Sequence, residues 1–136
     1  LYEQSNIGSF MVDALYKHAG WAFSAEYHDR TATNPITDDG NGNQRYVYVG
    51  TGQNYQLSYL FIKNWEVIGR YSTITHAKIL EANENIRNQY TIGLTKYLHG
   101  HRVKIQNDLS FDEAHAIGST LSTKSWTYRF QVELGI

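Results

Sequence analysis

The 136-residue sequence contains no cysteine and only one proline, and neither acidic nor basic residues are in excess. The lack of cysteine excludes disulfides and thiolate metal sites. Twelve Lys and Arg residues against thirteen Asp and Glu residues give no basic surface of the kind that binds nucleic acid. The single proline, Pro35, stands in a polar stretch where it interrupts no strand.

Long apolar runs are missing as well. No stretch of about 18 apolar residues occurs, so the sequence predicts no transmembrane helix. It has no recognisable signal peptide and begins with Leu1, so we expect a mature protein or a fragment whose export signal lies outside these residues. The chain is long enough for one domain, and no linker divides residues 1–136.

Aromatic residues and strict alternation are what the sequence has in abundance. Between Trp126 and Ile136 every second residue is apolar or aromatic, and the residues between them are polar or glycine. In a β-strand this period of two places the two sets on opposite faces. The segment also has about the 9–11 residues that a tilted strand needs to cross a bilayer.

Six earlier segments alternate in a similar way, so the sequence predicts seven strands. Short turns follow Lys17, Phe61 and Leu98, and polar loops follow the other strands, including an unburied loop over residues 31–44. Gly50 and Gly52 interrupt the third strand and indicate either a bulge or a point of close packing. Short turns at one end and long loops at the other are typical of outer-membrane barrels. The predicted strands cover residues 7–17, 21–30, 45–61, 65–73, 87–98, 102–111 and 126–136.

The alternation leaves open which face of the sheet is covered. A soluble β-barrel, such as a lipocalin or a fatty-acid-binding protein, would bury the apolar face around an apolar ligand. Three features favour an antiparallel transmembrane β-barrel. The polar face carries charges of both signs, and aromatic residues such as Trp21, Trp65 and Trp126 stand near strand ends, as in interfacial girdles. Seven is an odd number, whereas single-chain bacterial barrels have even numbers, so further strands are expected upstream.

In a transmembrane barrel the two faces would have separate functions. Rings of charge on the lumen wall select ions. Each lumenal cation also has a carboxylate nearby in sequence, so an ion-pair network that neutralises the cations is the alternative. The candidates for the lumen are Arg30, Arg70, Lys104, Arg129, Glu26, Glu66, Asp108 and Glu133. The candidates for lipid contact are Phe23, Tyr27, Leu57, Ile92, Ile105, Phe130 and Val132.

Other kinds of site have little support in the sequence. His99 and His101 flank a glycine and are possible metal ligands, but no third ligand is evident. Serine, histidine and aspartate residues are scattered over the loops without a catalytic motif. The sequence therefore predicts no enzyme, no cofactor and no metal site.

Several stretches together resemble the carboxy-terminal half of the phosphate-selective porin O and P family. The resemblance covers roughly residues 21–136, although the chain ends in Ile136 where barrel proteins usually end in an aromatic residue. It implies a segment of a sixteen-stranded, trimeric porin in the outer membrane of a Gram-negative bacterium, surrounded by lipid and passing small anions such as phosphate. It implies no particular binding residue here, because the anion-selecting cluster of that family lies largely in the other half. The stretches are Gly52–Tyr59, Trp65-Glu66, Arg70-Tyr71-Ser72, Tyr90–Leu98, Gly100-His101, Lys104-Ile105-Gln106 and Arg129–Ile136.

Overall fold

A computed structural model describes residues 4–38, 40–61, 64–76, 85–99, 103–116 and 121–135. Within these ranges the chain is all β, and every strand pairs antiparallel with its neighbours. The strands are β1 (Ile7–His18), β2 (Trp21–Ala32), β3 (Ile36–Asp38), β4 (Gln44–Tyr46), β5 (Gly50–Phe61), β6 (Trp65–His76), β7 (Asn85–His99), β8 (Val103–Ala116) and β9 (Ser122–Leu134).

Seven of the strands form one meander in the order β1-β2-β5-β6-β7-β8-β9. This confirms the predicted seven antiparallel strands, with short connections at one end of the sheet and longer ones at the other. The sheet is open, because β1 and β9 lie at its edges and do not pair with each other. The short β1–β2 turn has positive φ at Ala19 (48°) and Gly20 (86°). This matches the two-residue type I′ turn, whose twist suits a hairpin.

The connection between β2 and β5 differs from the predicted unburied loop. It contains a separate two-stranded hairpin, in which β3 pairs with β4. The backbone N–H of Val47 donates to the carbonyl of Pro35 at 2.8 Å, which extends this hairpin by one contact. Thr37 and Val49 are 7% and 6% exposed, so part of the segment is packed. The prediction failed because Gly40 and Gly42, read as loop residues, instead form a turn with positive φ values.

The strand ends also differ from the prediction, most clearly in the β8–β9 hairpin. Residues 112–116 and 122–125 were expected in a loop but continue the ladder, where Glu113 lies opposite Lys124. Their charged side chains form an ion pair of 3.4 Å, so polarity did not mark the end of the strand. In β5 the bulge is absent, since pairing runs without a register shift from Gly50 to Phe61. The register shift in the sheet lies between Tyr97 and His99.

Candidate functional site

The two faces of the seven-stranded sheet together form the candidate site. Residues directly opposite each other on neighbouring strands share a face. The register puts Arg70, Gln56 and Thr91 on one side, which we call the polar face. It puts Ile92, Gly69 and Leu109 on the other side, the apolar face.

The register places the lumen candidates and the lipid candidates on opposite faces of the sheet. This separation does not depend on whether water, lipid or protein covers either face. All eight charged candidates lie on the polar face: Arg30, Arg70, Lys104, Arg129, Glu26, Glu66, Asp108 and Glu133. All seven apolar candidates lie on the apolar face: Phe23, Tyr27, Leu57, Ile92, Ile105, Phe130 and Val132.

The polar face is the more covered of the two, which is the reverse of a water-soluble sheet. Strand β7 shows this most clearly because it has neighbours on both sides. Thr91 and Thr95 on its polar face are 9% and 2% exposed, whereas Ile92 between them is 61% exposed. On the neighbouring strand β8, Asp108 and Ser110 are each 5% exposed, and Leu109 between them is 39% exposed. Large apolar side chains are therefore left open while small polar ones are packed.

On the polar face β8 and β9 are joined by ion pairs. The Arg129 guanidinium makes a bidentate contact with the Asp108 carboxylate, with Nε–Oδ2 at 3.0 Å and Nη2–Oδ1 at 3.1 Å. Lys104 Nζ lies 2.8 Å from the Glu133 carboxylate. Both pairs cross between the strands, so they stabilise the hairpin while neutralising two of the four candidate cations.

The other two candidate cations are not neutralised as the sequence suggested. The Glu66 carboxylate accepts a hydrogen bond from the Tyr97 hydroxyl, and Glu26 accepts one from the Asn54 amide at 3.3 Å. In the described part of the chain, neither Arg30 nor Arg70 forms a salt bridge. The sequence-based pairing failed because residues four apart on a strand are separated by about 13 Å, whereas cross-strand partners are about 5 Å apart.

A row of aromatic rings crosses the apolar face on five consecutive strands. Sequence reasoning missed it, apart from Trp126, because the row depends on the register between strands. The centroids of Tyr71 and Tyr90 are 5.0 Å apart, those of Tyr90 and Phe111 6.4 Å, and those of Phe111 and Trp126 4.9 Å. We call these residues the aromatic row: Tyr55, Tyr71, Tyr90, Phe111 and Trp126.

The aromatic row marks the border between apolar and polar side chains on that face. Two residues further toward the long connections, the register aligns only polar side chains on these five strands: Gln53, Thr73, Asn88, Glu113 and Lys124. On β2 and β1 the same level carries Tyr27 and Val12. The Tyr71 hydroxyl donates to the side-chain oxygen Oδ1 of Asn88, and the Tyr55 hydroxyl donates to the side-chain oxygen Oε1 of Gln53, each at 3.1 Å. The rings thus adjoin the apolar band while their hydroxyls point to the polar border.

Aromatic residues also lie at the short-turn end of the apolar face. Trp21 packs on Tyr59 with ring centroids 4.5 Å apart, and Phe61 lies directly opposite Trp65. The ammonium of Lys96 lies 4.8 Å from the centre of the Trp65 ring, a cation–π contact. An apolar band with aromatic residues at both borders, and a lysine at one of them, is typical of interfacial belts.

Within the apolar band the side chains leave several grooves and include a polar group. One groove has a volume of about 650 Å³ and lies over Gly69, where an added Cβ would meet nothing within 4 Å. The polar group is the Asn107 amide, whose oxygen accepts a 2.7 Å hydrogen bond from the Tyr128 hydroxyl. This contact explains how the one polar residue in the alternation of β8 is accommodated on the apolar face.

Other chemistry has no support in the described residues. They contain no group of three or more His, Asp or Glu side chains arranged to hold a metal ion. Of the two histidines considered as ligands, His101 lies outside the described residues and the side chain of His99 is not described. The same residues contain no helix that is long and apolar enough to pass through a membrane.

The chain was also compared with known proteins. No family model, no curated protein and no solved structure matches it.

Proposed function

We propose that this chain is the carboxy-terminal part of an outer-membrane porin through which small anions such as phosphate diffuse passively. The observation that carries the proposal is the reversed packing of the sheet, with Thr95 2% exposed and Ile92 61% exposed on the same strand. A barrel in a membrane needs an apolar exterior and tolerates a polar, water-filled interior.

The same observation separates this function from that of a soluble carrier. A carrier would crowd its apolar side chains around an internal ligand and leave its polar side chains in water. Here the apolar face carries the open side chains, such as Leu57 at 47% and Tyr90 at 49% exposure. In water such an apolar surface would favour association with other proteins. In a bilayer it would be in contact with lipid tails, which are apolar as well.

The extent of the apolar band also fits a bilayer. On β9 the band runs from Trp126 in the aromatic row to Leu134, and residues 126–134 are nine positions. This is within the range of about 9–11 residues for a tilted transmembrane strand. The aromatic row would then lie at one membrane interface, and the Trp65–Lys96 pair, which is in register with Val132, would lie two residues inside the other border of the band.

The open edges of the sheet support a complete barrel with more strands. β1 and β9 each pair on one side only, and unpaired backbone groups are not tolerated in hydrocarbon. Additional strands between β9 and β1 would close the wall. The resemblance to the phosphate-selective porins suggests sixteen strands, a homotrimer and the outer membrane of a Gram-negative bacterium. It also suggests phosphate as one of the anions that pass.

Single-channel recording of the complete protein in planar bilayers tests the proposal. We expect steady ionic currents, since a water-filled lumen conducts whenever it spans the bilayer. Replacing Arg30 and Arg70 by Gln should lower the anion-to-cation permeability ratio, because no carboxylate pairs with either cation in the described residues. The matched control replaces Lys104 and Glu133, an ion pair, by Gln and should change the ratio less. Correctly inserted protein that carries no current would reject the porin.

A further inference from the structure

Arg70 differs from the paired cations of the polar face. Its Nε is buried and has no hydrogen-bond partner. In the described part of the chain no ion pair or hydrogen bond joins its guanidinium to another residue. Buried polar atoms without a partner are rare in folded proteins, and a bound ion is one of the usual reasons for them.

The side chains beside Arg70 are neutral and can form hydrogen bonds. Gln56 lies directly opposite it on β5, and Thr91 lies directly opposite it on β7. One strand further on each side, the register adds Ser24 and Ser110. The guanidinium is therefore the only charge in a row of five cross-strand neighbours.

The nearest carboxylates on the face are distant and already engaged. Glu26, Asp108 and Asp112 lie two strands away from Arg70, a lateral separation of about 10 Å. Glu26 accepts a hydrogen bond from Asn54, Asp112 accepts one from Gln89 at 2.9 Å, and Asp108 is paired with Arg129. Glu66 lies four residues along the same strand and accepts the Tyr97 hydroxyl. The positive charge of Arg70 is thus not cancelled locally.

Donors converge around this charge. Among the described residues nothing accepts a hydrogen bond from the Gln56 amide. The Thr91 and Ser110 hydroxyls are 2.8 Å apart, so Ser110 can donate to Thr91 and leave the Thr91 proton for a ligand. A guanidinium fork matches two oxygens of one oxyanion, a geometry that a halide cannot use.

We propose that Arg70, Gln56 and Thr91 form a subsite for a small oxyanion, with inorganic phosphate as the probe. The subsite rests on the proposed function to the extent that the polar face must be open to water. It goes beyond that function by assigning the charge of Arg70 to anion binding, with Gln56 and Thr91 as neutral donors, whereas Lys104 and Arg129 are held by their own carboxylates.

Isothermal titration calorimetry of the complete protein in detergent, with inorganic phosphate, tests the subsite. Arg70→Gln should raise the Kd by about tenfold to a hundredfold, the range expected when one hydrogen-bonded charge is lost. Gln56→Leu should raise it by about two- to tenfold, because it removes one neutral donor. The matched control is Arg87→Gln, which removes the same charge from the polar face of β7, where Arg87 lies opposite Ile74 and Ala114. It should leave the Kd within about twofold. Circular dichroism verifies that each variant is folded, and if Arg70→Gln does not fold, Gln56→Leu carries the test.

The outcomes separate the subsite from the porin. Equal weakening by Arg70→Gln and Arg87→Gln would mean general electrostatic attraction and overturn the subsite, as would wild-type protein that binds no phosphate. Binding that depends on Arg70 in a protein without ionic current would keep the subsite and reject the porin. Ionic current together with phosphate binding that Arg70→Gln leaves unchanged would keep the porin and reject the subsite.

Discussion

At the scale of single residues, adjacent positions on one strand face different surroundings. Phe130 and Gln131 are neighbours on β9, and the register places them on the apolar and the polar face. In the complete barrel we expect Phe130→Arg to lower the free energy of unfolding by about 2–4 kcal/mol, because Phe130 lies in the middle of the apolar band and the guanidinium would enter lipid at mid-membrane. Gln131→Arg, the matched control, should cost less than about 1 kcal/mol, since a lumenal side chain stays in water.

Urea unfolding of the protein in lipid vesicles measures both free energies. If the two substitutions destabilise the protein equally, the faces have no separate environments, and the lipid assignment is wrong. If Gln131→Arg is the costlier of the two, the apolar face is the one open to water, as in a protein with the opposite orientation. Both variants introduce the same side chain at neighbouring positions of one strand, so a difference between their free energies of unfolding reflects the two faces and not the size or charge of arginine.

At the scale of strands and rows, the aromatic row should mark one membrane interface. Trp126 belongs to the row, whereas Trp21 and Trp65 lie at the short-turn end. In a variant of the complete protein in which Trp126 is the only tryptophan, with Trp21→Phe, Trp65→Phe and any upstream tryptophan also replaced by Phe, we expect lipids brominated near the headgroup end of the acyl chain to quench Trp126 fluorescence more than lipids brominated near the methyl end. Interfacial rings sit at the level of the headgroups, which gives the expected order.

The reciprocal variant, Trp126→Phe with Trp65→Phe, retains Trp21 and supplies the control for the opposite border. Its fluorescence should show the same order of quenching, because Trp21 is the first residue of β2 and follows directly on the short β1–β2 turn. Quenching of Trp126 that is strongest from the methyl end would place the row in the middle of the bilayer and contradict the interface. Absence of quenching from either position would remove the row from the lipid altogether.

How much the sequence predicts depends on whether a feature needs the register. Alternation alone predicted seven antiparallel strands and the face of every candidate from Phe23 to Glu133. It could do so because odd and even positions of one strand lie on opposite faces whatever the neighbouring strands are. It did not predict that Asp108 pairs with Arg129, or that Tyr90 lies between Tyr71 and Phe111. Those contacts are cross-strand, so a shift of the register by two residues would keep every face and replace every partner. Strand ends were missed for a different reason, since polar pairs such as Glu113 and Lys124 extend a ladder as well as apolar ones do.

At the scale of the whole molecule, the edges of the sheet decide whether this segment is stable alone. Every second residue of β1 and β9 has backbone groups that point away from the sheet, and all residues of both strands are exposed. In hydrocarbon each unsatisfied group costs several kcal/mol, so seven strands inserted without partners would be strongly unstable. We therefore predict that residues 1–136 produced alone form no heat-resistant monomeric barrel in detergent.

Hydrogen exchange read by mass spectrometry compares this segment with the complete protein in lipid. In the complete protein the amides of β1 and β9 should be as well protected as those of β7, which pairs on both sides. In the segment alone, any residual sheet should exchange first at β1 and β9, because half of the amides of an edge strand have no acceptor. Edge strands that remain exposed to exchange in the complete protein would mean that no further strands close the wall. A protected, heat-resistant monomer of residues 1–136 would mean that the seven strands close on themselves, which would favour the soluble carrier over the porin.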